Sequence, residues 1–233
     1  MPDLQIENKT AFCFEKNNIS LTDDKLQKFD VYCDFLLEEN EKYNLTAITD
    51  EQAVWEKHFL DSVLGSESIF VGATLCDIGC GAGFPSIPLK IVRPDINVTL
   101  VDSLEKRVNF CKQLCQKLSL EAKVFHDRAE DFAKKNSERF DVATARAVAP
   151  LNILLEYTAQ IVKIGGIVLA YKTDESEVES ARNAANVLGL KYESCRKYVL
   201  SDGSNRCLLT FRKIDHTPTQ YPRGQNKPRK NPL

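Results

Sequence analysis

The first seventy residues carry apolar side chains at helical spacing. After Thr22, a residue type suited to an N-cap, the apolar positions that line one helix face are Leu26, Phe29, Cys33, Leu36 and Leu37. A polar break at Tyr43 and Asn44 precedes a second such segment around Trp55, which Gly65 is suited to end. We therefore predict a helical cap over residues 1–70.

After Gly72 the pattern changes to short β-branched or apolar runs separated by helical stretches. The predicted strands are 74–78, 97–101, 122–125, 140–144, 167–171, 192–200 and 207–212. The predicted helices between them include 105–118, 151–162 and 175–188. This alternation is typical of a parallel sheet covered by helices, and Asp202 with Gly203 predicts a closing hairpin. The predicted fold class is α/β, doubly wound and mostly parallel, preceded by the helical cap.

Composition places the chain among soluble globular proteins. Of its 233 residues, 43% are hydrophobic and 27% are charged, close to the usual averages. The N-terminus is polar, and the apolar runs are too short to span a bilayer. Eight cysteines without a secretion signal or metal-binding spacing indicate free thiols in a reducing compartment. We expect a cytoplasmic protein with no metal site and no membrane partner.

The net charge of −2 conceals a basic C-terminal end. Residues 212–233 hold six basic side chains and one acidic side chain, together with several prolines. Such a tail can be a solubilising appendage or can contact phosphates, and composition leaves both interpretations open. The chain thus divides into a cap (1–70), a central domain (71–213) and a basic tail (214–233).

A glycine-rich loop after the first predicted strand is the strongest chemical signal. Residues 77–84 have the sequence DIGCGAGF, whose glycines let a ligand approach the backbone where a parallel sheet opens. The spacing is G-x-G-x-G rather than G-x-G-x-x-G, which disfavours a dinucleotide. Asp102 follows the second strand, where a carboxylate can accept both hydroxyls of a ribose. Residues 127–131, after the third strand, are placed to meet an adenine edge, so a nucleoside ligand is favoured.

The order of elements and this loop resemble a Rossmann-like class I S-adenosylmethionine-dependent methyltransferase. More specifically, several motifs resemble the glucose-inhibited division protein B family, whose members are small-subunit ribosomal RNA guanine-N7 methyltransferases. These motifs are YNLT at 43–46, HFLDS at 58–62, DIGCGAGFPSIPL at 77–89, VDSLEKR at 101–107, RAE at 128–130, ARA at 145–147, YPR at 221–223 and NPL at 231–233. The resemblance implies a seven-stranded sheet with an antiparallel C-terminal strand, S-adenosylmethionine as cofactor, and 16S ribosomal RNA within the small subunit as partner.

The resemblance also implies roles for individual residues. The implied cofactor-binding residues are Gly79, Gly81, Gly83, Phe84, Asp102, Ala129, Glu130 and Arg146. Asp102 would hold the ribose, Ala129 and Glu130 would border the adenine, and Arg146 would face both the cofactor and the target base. Arg146 is also the catalytic candidate, acting by positioning. Basic residues near strand ends or in the tail are candidates for RNA contacts: Lys106, Arg107, Arg128, Lys172 and Arg223.

The implied chemistry needs no general base. Guanine N7 carries a lone pair and no proton, so holding the reactants in line is the main requirement. Arg146 can donate to guanine O6 as a fork, or it can be held in a salt bridge by a nearby acid. We interpret His58 as an interface residue of the cap rather than a proton shuttle, and Asn44 and Thr46 as ties between the cap and the sheet.

Three other functions compete with this hypothesis. They are a non-catalytic RNA-binding or assembly factor on the same fold, an NAD-dependent oxidoreductase, and a methyltransferase with a small-molecule acceptor. The intact glycine loop with Asp102 counts against the first, the glycine spacing against the second, and the basic tail against the third. The acidic body favours recognition of a structured RNA target over non-specific RNA binding, and we expect a monomer.

Overall fold

A mixed β-sheet forms the centre of the molecule. Its strands are β1 Thr74–Ile78, β2 Asn97–Asp102, β3 Ala122–His126, β4 Phe140–Arg146, β5 Val162–Lys172, β6 Leu190–Val199 and β7 Asn205–Lys213. The computed structural model describes residues 7–233, and in this range the seven strands lie in the order β3-β2-β1-β4-β5-β7-β6. Strands β1 to β5 pair in parallel, whereas β7 is antiparallel to both β5 and β6. The predicted α/β fold with an antiparallel C-terminal strand is confirmed.

Helices cover both faces of this sheet. They are α1 Glu7–Lys16, α2 Asp23–Tyr43, α3 Glu51–Val54, α4 Asp61–Val63, α5 Ser86–Val92, α6 Glu105–Lys117, α7 Ala129–Lys135, α8 Leu151–Ala159, α9 Glu177–Ser180, α10 Arg182–Val187 and α11 Lys227–Lys230. A π-helical segment, Trp55–Leu60, joins α3 directly to α4. None of the helices in residues 7–233 combines the length and the apolar character that a membrane span requires.

Two of the predicted helices have different bounds in the structure. The helix predicted over 151–162 ends at Ala159, and Val162 already pairs with Phe140 of β4. The β-branched residues at that point join the parallel ladder, which outweighs their helical spacing. The helix predicted over 175–188 is divided by a turn at Ala181 (φ −89°, ψ −1°), whose side chain is buried.

The cap shares one hydrophobic core with a face of the sheet. Phe14, Phe29, Trp55 and Phe59 form an aromatic cluster, with Phe29 and Phe59 5.0 Å apart and Phe14 and Trp55 6.1 Å apart between ring centroids. The same continuous core includes Leu75 on β1. Because burial of apolar surface is the main stabilising contribution to folding, the cap and the sheet support each other.

The basic tail packs against α8. The Arg223 guanidinium pairs with Glu156, with Nη2 2.6 Å and Nε 2.9 Å from the carboxylate oxygens. The last residue, Leu233, packs against the core on the other face of the sheet, and its carbonyl accepts from the Asn152 amide at 3.2 Å. The tail is thereby fixed close to the carboxyl end of β4, where α8 begins.

The aromatic cluster gives a test of the shared core. Phe14 is fully buried, whereas Phe12, on the same helix, is 51% exposed. Phe14→Ala is expected to lower the free energy of unfolding by about 3 to 5 kcal/mol because it leaves a cavity. Phe12→Ala, the matched control, is expected to cost less than about 1 kcal/mol. Urea unfolding measures both, and equal losses would contradict the role of the cluster.

Candidate active site

Three adjoining cavities open at the carboxyl ends of the parallel strands. The β3-side cavity, of about 140 Å³, lies by the loops after β2 and β3 and includes Asp102 and Glu130. The loop cavity, of about 330 Å³, lies over the glycine loop and shares Asp102 with the first. The cap cavity, of about 310 Å³, lies between the cap and β5 and shares His58 and Arg146 with the loop cavity. They meet where the strand order reverses between β1 and β4, the usual ligand position in such sheets.

The glycine loop has a backbone that side chains would obstruct. Gly79 has φ +73°, and a Cβ there would lie 2.7 Å from Cγ2 of Val148. Gly83 has φ +94°, and a Cβ there would lie 2.5 Å from Cδ1 of Ile87. At Gly81, with φ +57°, a Cβ would meet no heavy atom within 4 Å. Conformation and crowding therefore require glycine at positions 79 and 83. At Gly81 the backbone is open to the loop cavity.

The cap holds the glycine loop in place. The Tyr32 hydroxyl on α2 donates to the Ala82 carbonyl at 2.5 Å, and its ring stacks on Phe84 at a centroid distance of 5.3 Å. The imidazole of His58 also stacks on Phe84, at 4.4 Å. Phe84 in turn lines the loop cavity. The position of this cavity wall is therefore set by the cap as well as by the loop.

Asp102 joins the glycine loop to the next strand. Its side chain is only 3% exposed, and its two oxygens accept from the Gly81 and Leu104 amides, both at 2.9 Å. Arg107 Nη1 lies 3.5 Å from Oδ2. An ionised carboxylate has about four acceptor positions, so it can also accept from a diol in the cavities that it lines.

The predicted adenine-binding residues begin α7. Ala129 and Glu130 both line the β3-side cavity, and Glu130 is buried. The Asp127 amide donates to the Asp102 carbonyl at 3.2 Å, which fixes this loop beside β2. Tyr157 on α8 completes the wall, a residue that the sequence analysis missed because only the folding of α8 brings it here. The Glu130 carboxylate can accept a hydrogen bond from an exocyclic amine in the β3-side cavity.

Arg146, at the end of β4, is held by the cap. Its Nη1 lies 2.9 Å from Oδ2 of Asp61, and its Nη2 lies 3.1 Å from Nδ1 of His58. Its guanidinium carbon lies 4.9 Å from the ring centroid of Phe84. Of the two roles considered for Arg146, the salt bridge is present in the structure. The paired guanidinium, 14% exposed, stands in the wall common to the loop cavity and the cap cavity.

Asp61 is a buried acceptor for several groups. Besides Arg146, it accepts from the Tyr198 hydroxyl at 2.7 Å, and Arg206 Nε lies 3.7 Å from Oδ1. Burial and the Asp61 charge raise the pKa of Tyr198, which keeps that phenol a donor. The sequence analysis missed Tyr198 and Arg206, since β6 and β7 follow the cap by more than a hundred residues and carry no local motif there.

His58 is uncharged and forms a hydrogen bond with Arg146. Burial and the neighbouring Arg146 charge lower the pKa of His58 to about 3. Since a guanidinium only donates, Nδ1 of His58 accepts, and Nε2–H donates to the Thr46 hydroxyl at 2.8 Å. The π-helical segment that carries His58 was predicted as regular helix. His58 lies at the cap interface, as predicted, and also lines two cavities.

Asp77, at the end of β1, lies beneath the loop and is fully buried. Burial raises its pKa to about 8, an effect that the nearby Ser86 and Arg146 offset only in part. Within residues 7–233, neither of its carboxylate oxygens has a partner in hydrogen-bond geometry. Burial therefore favours the uncharged form of this side chain.

The predicted RNA-contacting residues have different surroundings. Arg128 is exposed at the β3-side cavity, and Lys106 is exposed and donates to a carbonyl of the cap at 2.7 Å. Lys172 lines the cap cavity and is paired with an acid at 2.9 Å. Arg223 is paired with Glu156, as described above. Exposure thus favours Arg128 and Lys106 for phosphate contacts, whereas the pairing of Arg223 serves the tail.

Known proteins resemble this chain along nearly its whole length. The family model described as rRNA small subunit methyltransferase G matches residues 25–204. Ribosomal RNA small subunit methyltransferase G of Lactobacillus acidophilus is 44% identical, covering 97% of this chain and 99% of that protein. The Bacillus subtilis protein of the same name is 41% identical, covering 99% of each.

Solved structures share the fold. A SAM-dependent methyltransferase from Aquifex aeolicus superposes with a TM-score of 0.53 at 18% identity, covering 70% of this chain and 93% of that one. At this low identity the likeness shows the fold alone, and it agrees with the observed strand order.

Because His58 stays uncharged in the folded protein, the free energy of unfolding depends on pH. The unfolded chain takes up a proton on this imidazole near its ordinary pKa of 6.5, whereas the folded chain does so near pH 3. Stability is therefore lost as the pH falls through this window, by up to about 1.4 kcal/mol per pH unit. His58→Asn is expected to flatten the dependence of the unfolding free energy on pH between about 6.5 and 5.

The control for the loss of an imidazole is His126→Asn, at an exposed histidine on β3. Urea unfolding at several pH values measures the slopes of the three proteins. The assignment would be contradicted by a slope for His58→Asn as steep as that of the wild type.

Proposed function

The chain belongs to the rRNA small subunit methyltransferase G family, and on that premise we propose that it methylates N7 of a guanosine in 16S ribosomal RNA with S-adenosylmethionine. The observation that carries the proposal is the wall common to the loop cavity and the cap cavity, in which Arg146 and His58 stand. A cofactor over the glycine loop and a base under the cap meet at this wall.

The residues around the first two cavities fit the cofactor. S-adenosylmethionine supplies an electrophilic methyl group on a sulfonium sulfur. Asp102 would accept from the ribose hydroxyls, since it lines both cavities and its carboxylate has acceptor positions beyond those used by the Gly81 and Leu104 amides. Glu130 would accept from the adenine amine, and the open backbone at Gly81 leaves room for the methionyl portion. This fit supports a cofactor with an adenosyl group, and the family to which the chain belongs supports S-adenosylmethionine in particular.

The cap cavity would receive the guanine. Its wall offers donors on Lys57, Arg206 and Arg146, and donors of this kind recognise guanine O6. A donor bound to O6 alone leaves the N7 lone pair free to attack. Because no proton leaves N7, the site needs no general base, which agrees with a His58 that stays uncharged.

Arg146 acts by position rather than by proton transfer. Asp61 and His58 hold its guanidinium, so the side chain need not become ordered when the substrates bind. Asp61 also balances the Arg146 charge, which reduces repulsion of a cationic cofactor. Removing Asp61 would leave a positive charge that is largely buried and unpaired.

The proposed partner is 16S ribosomal RNA within the small subunit, with the chain acting as a monomer in the cytoplasm. The net charge of −2 offers little attraction to bare phosphates, which supports recognition of a structured target. Arg128 is exposed at the β3-side cavity and Lys106 is exposed nearby in the chain, so these two are the proposed phosphate contacts.

A methylation assay tests the proposal. The purified protein is incubated with radiolabelled S-adenosylmethionine and small ribosomal subunits that lack the modification, and the labelled nucleoside is identified by mass spectrometry. N7-methylguanosine at one position is expected, with strong loss of label for Arg146→Ala. A different labelled nucleoside, or cofactor binding without transfer to RNA, would contradict it.

Asp102 gives a prediction that needs no RNA. Asp102→Asn removes a charged acceptor from the ribose, and it is expected to weaken S-adenosylmethionine binding by about 1 to 3 kcal/mol, or roughly 5- to 150-fold in Kd. Asp34→Asn, at an exposed acid on α2 that lines none of the three cavities, is the matched control and should bind as the wild type does. Isothermal titration calorimetry measures both. Unchanged affinity in Asp102→Asn would remove the proposed role.

A further inference from the structure

The C-terminal segment contributes a side chain to the candidate cofactor site. Arg229, on α11, lines both the β3-side cavity and the loop cavity, and Asn226 lines the first of them. Arg229 Nη2 donates to the Val148 carbonyl at 2.9 Å. Val148 packs against Gly79, the first glycine of the loop. Arg229, an exposed side chain, therefore lies at the boundary between the two cavities.

The groups around Arg229 complement its charge. Glu130 and Tyr157 line the β3-side cavity with it, and both are buried. Burial and, after it, the Glu130 charge raise the pKa of Tyr157, whereas Arg229 opposes that effect through its charge and a hydrogen bond to the phenol. The cavity thus has a carboxylate acceptor and a guanidinium donor in its wall.

The tail is anchored on both sides of Arg229. Before it, Arg223 pairs with Glu156, a side chain only 1% exposed. After it, the Leu233 carbonyl accepts from Asn152 at 3.2 Å. Pro228, the residue immediately before Arg229, is buried. An anchored segment of this kind presents Arg229 with little conformational freedom to lose on binding.

We propose that the C-terminal segment 221–233 completes the cofactor site, with Arg229 closing over the adenosyl group and donating to its acceptor atoms. A guanidinium suits this position because it is always charged, only donates, and presents a planar face to a base. The inference rests on the proposed use of S-adenosylmethionine. The basic tail would then bind the cofactor. Composition alone suggests two other roles for the tail, a solubilising appendage and a contact to phosphates.

The test compares two neighbouring positive charges. Arg229→Ala is expected to raise the Kd for S-adenosylmethionine about tenfold, and that for S-adenosylhomocysteine by the same factor, since both carry the adenosyl group. Lys230→Ala removes an equal charge from the same helix at an exposed residue that lines neither cavity, and it should change each Kd by less than about twofold. Isothermal titration calorimetry gives the values, and thermal melting without ligand checks folding. If Arg229→Ala melts at a lower temperature than the wild type, Arg229→Gln replaces it, and the same increase of about tenfold in Kd is expected.

Several results would overturn the inference. Wild-type affinity in Arg229→Ala, or an equal loss in Lys230→Ala, would exclude a specific contact. A tenfold difference that vanishes at about 0.5 M salt would also overturn it, because a direct contact is screened less than a long-range charge effect. If the wild type binds S-adenosylmethionine while Arg229→Ala is unaffected, only the inference fails. A wild type that binds none would contradict the proposed function itself.

Discussion

The ion pair between Arg146 and Asp61 joins the end of β4 to the helical cap, and the shape of the site depends on it. Both side chains are largely buried, and their closest atoms lie 2.9 Å apart. A buried pair of this kind adds little to stability in itself, but the loss of either partner leaves a charge that the surroundings cannot solvate. Arg146 can therefore keep its place only while the cap is folded onto the sheet. His58 adds a second, uncharged contact from the same part of the cap.

This dependence explains why the site is assembled from distant parts of the chain. The sheet supplies Asp102 and Arg146 at the carboxyl ends of β2 and β4, the two strands that flank β1, which is where such folds place their ligands. The cap supplies the contacts that hold Phe84 and Arg146, through Tyr32 and His58. In our account the tail then covers the cofactor. Chemistry that needs no proton transfer requires only that such a site be rigid and closely fitted.

Local patterns predicted most of the fold and named the glycine loop and Asp102, which lie at the cavities of the candidate site. Strand β1 has the predicted bounds, because its apolar run is flanked by loop residues on both sides. The glycine loop and Asp102 stood out because the proposed cofactor site requires particular residue types at a fixed spacing. Contacts between distant segments were not predictable in this way. Arg206 on β7 reaches Asp61, and Arg229 reaches the loop cavity, only because the whole chain has folded.

A crystal structure of the protein with S-adenosylhomocysteine bound would show whether Arg146, held by the cap, separates the cofactor from the cap cavity. We expect the ribose hydroxyls on Asp102, with Arg146 still paired to Asp61 between the ligand and an open cap cavity. A ligand bound elsewhere, or an Arg146 that has left Asp61 to contact the ligand, would contradict the account.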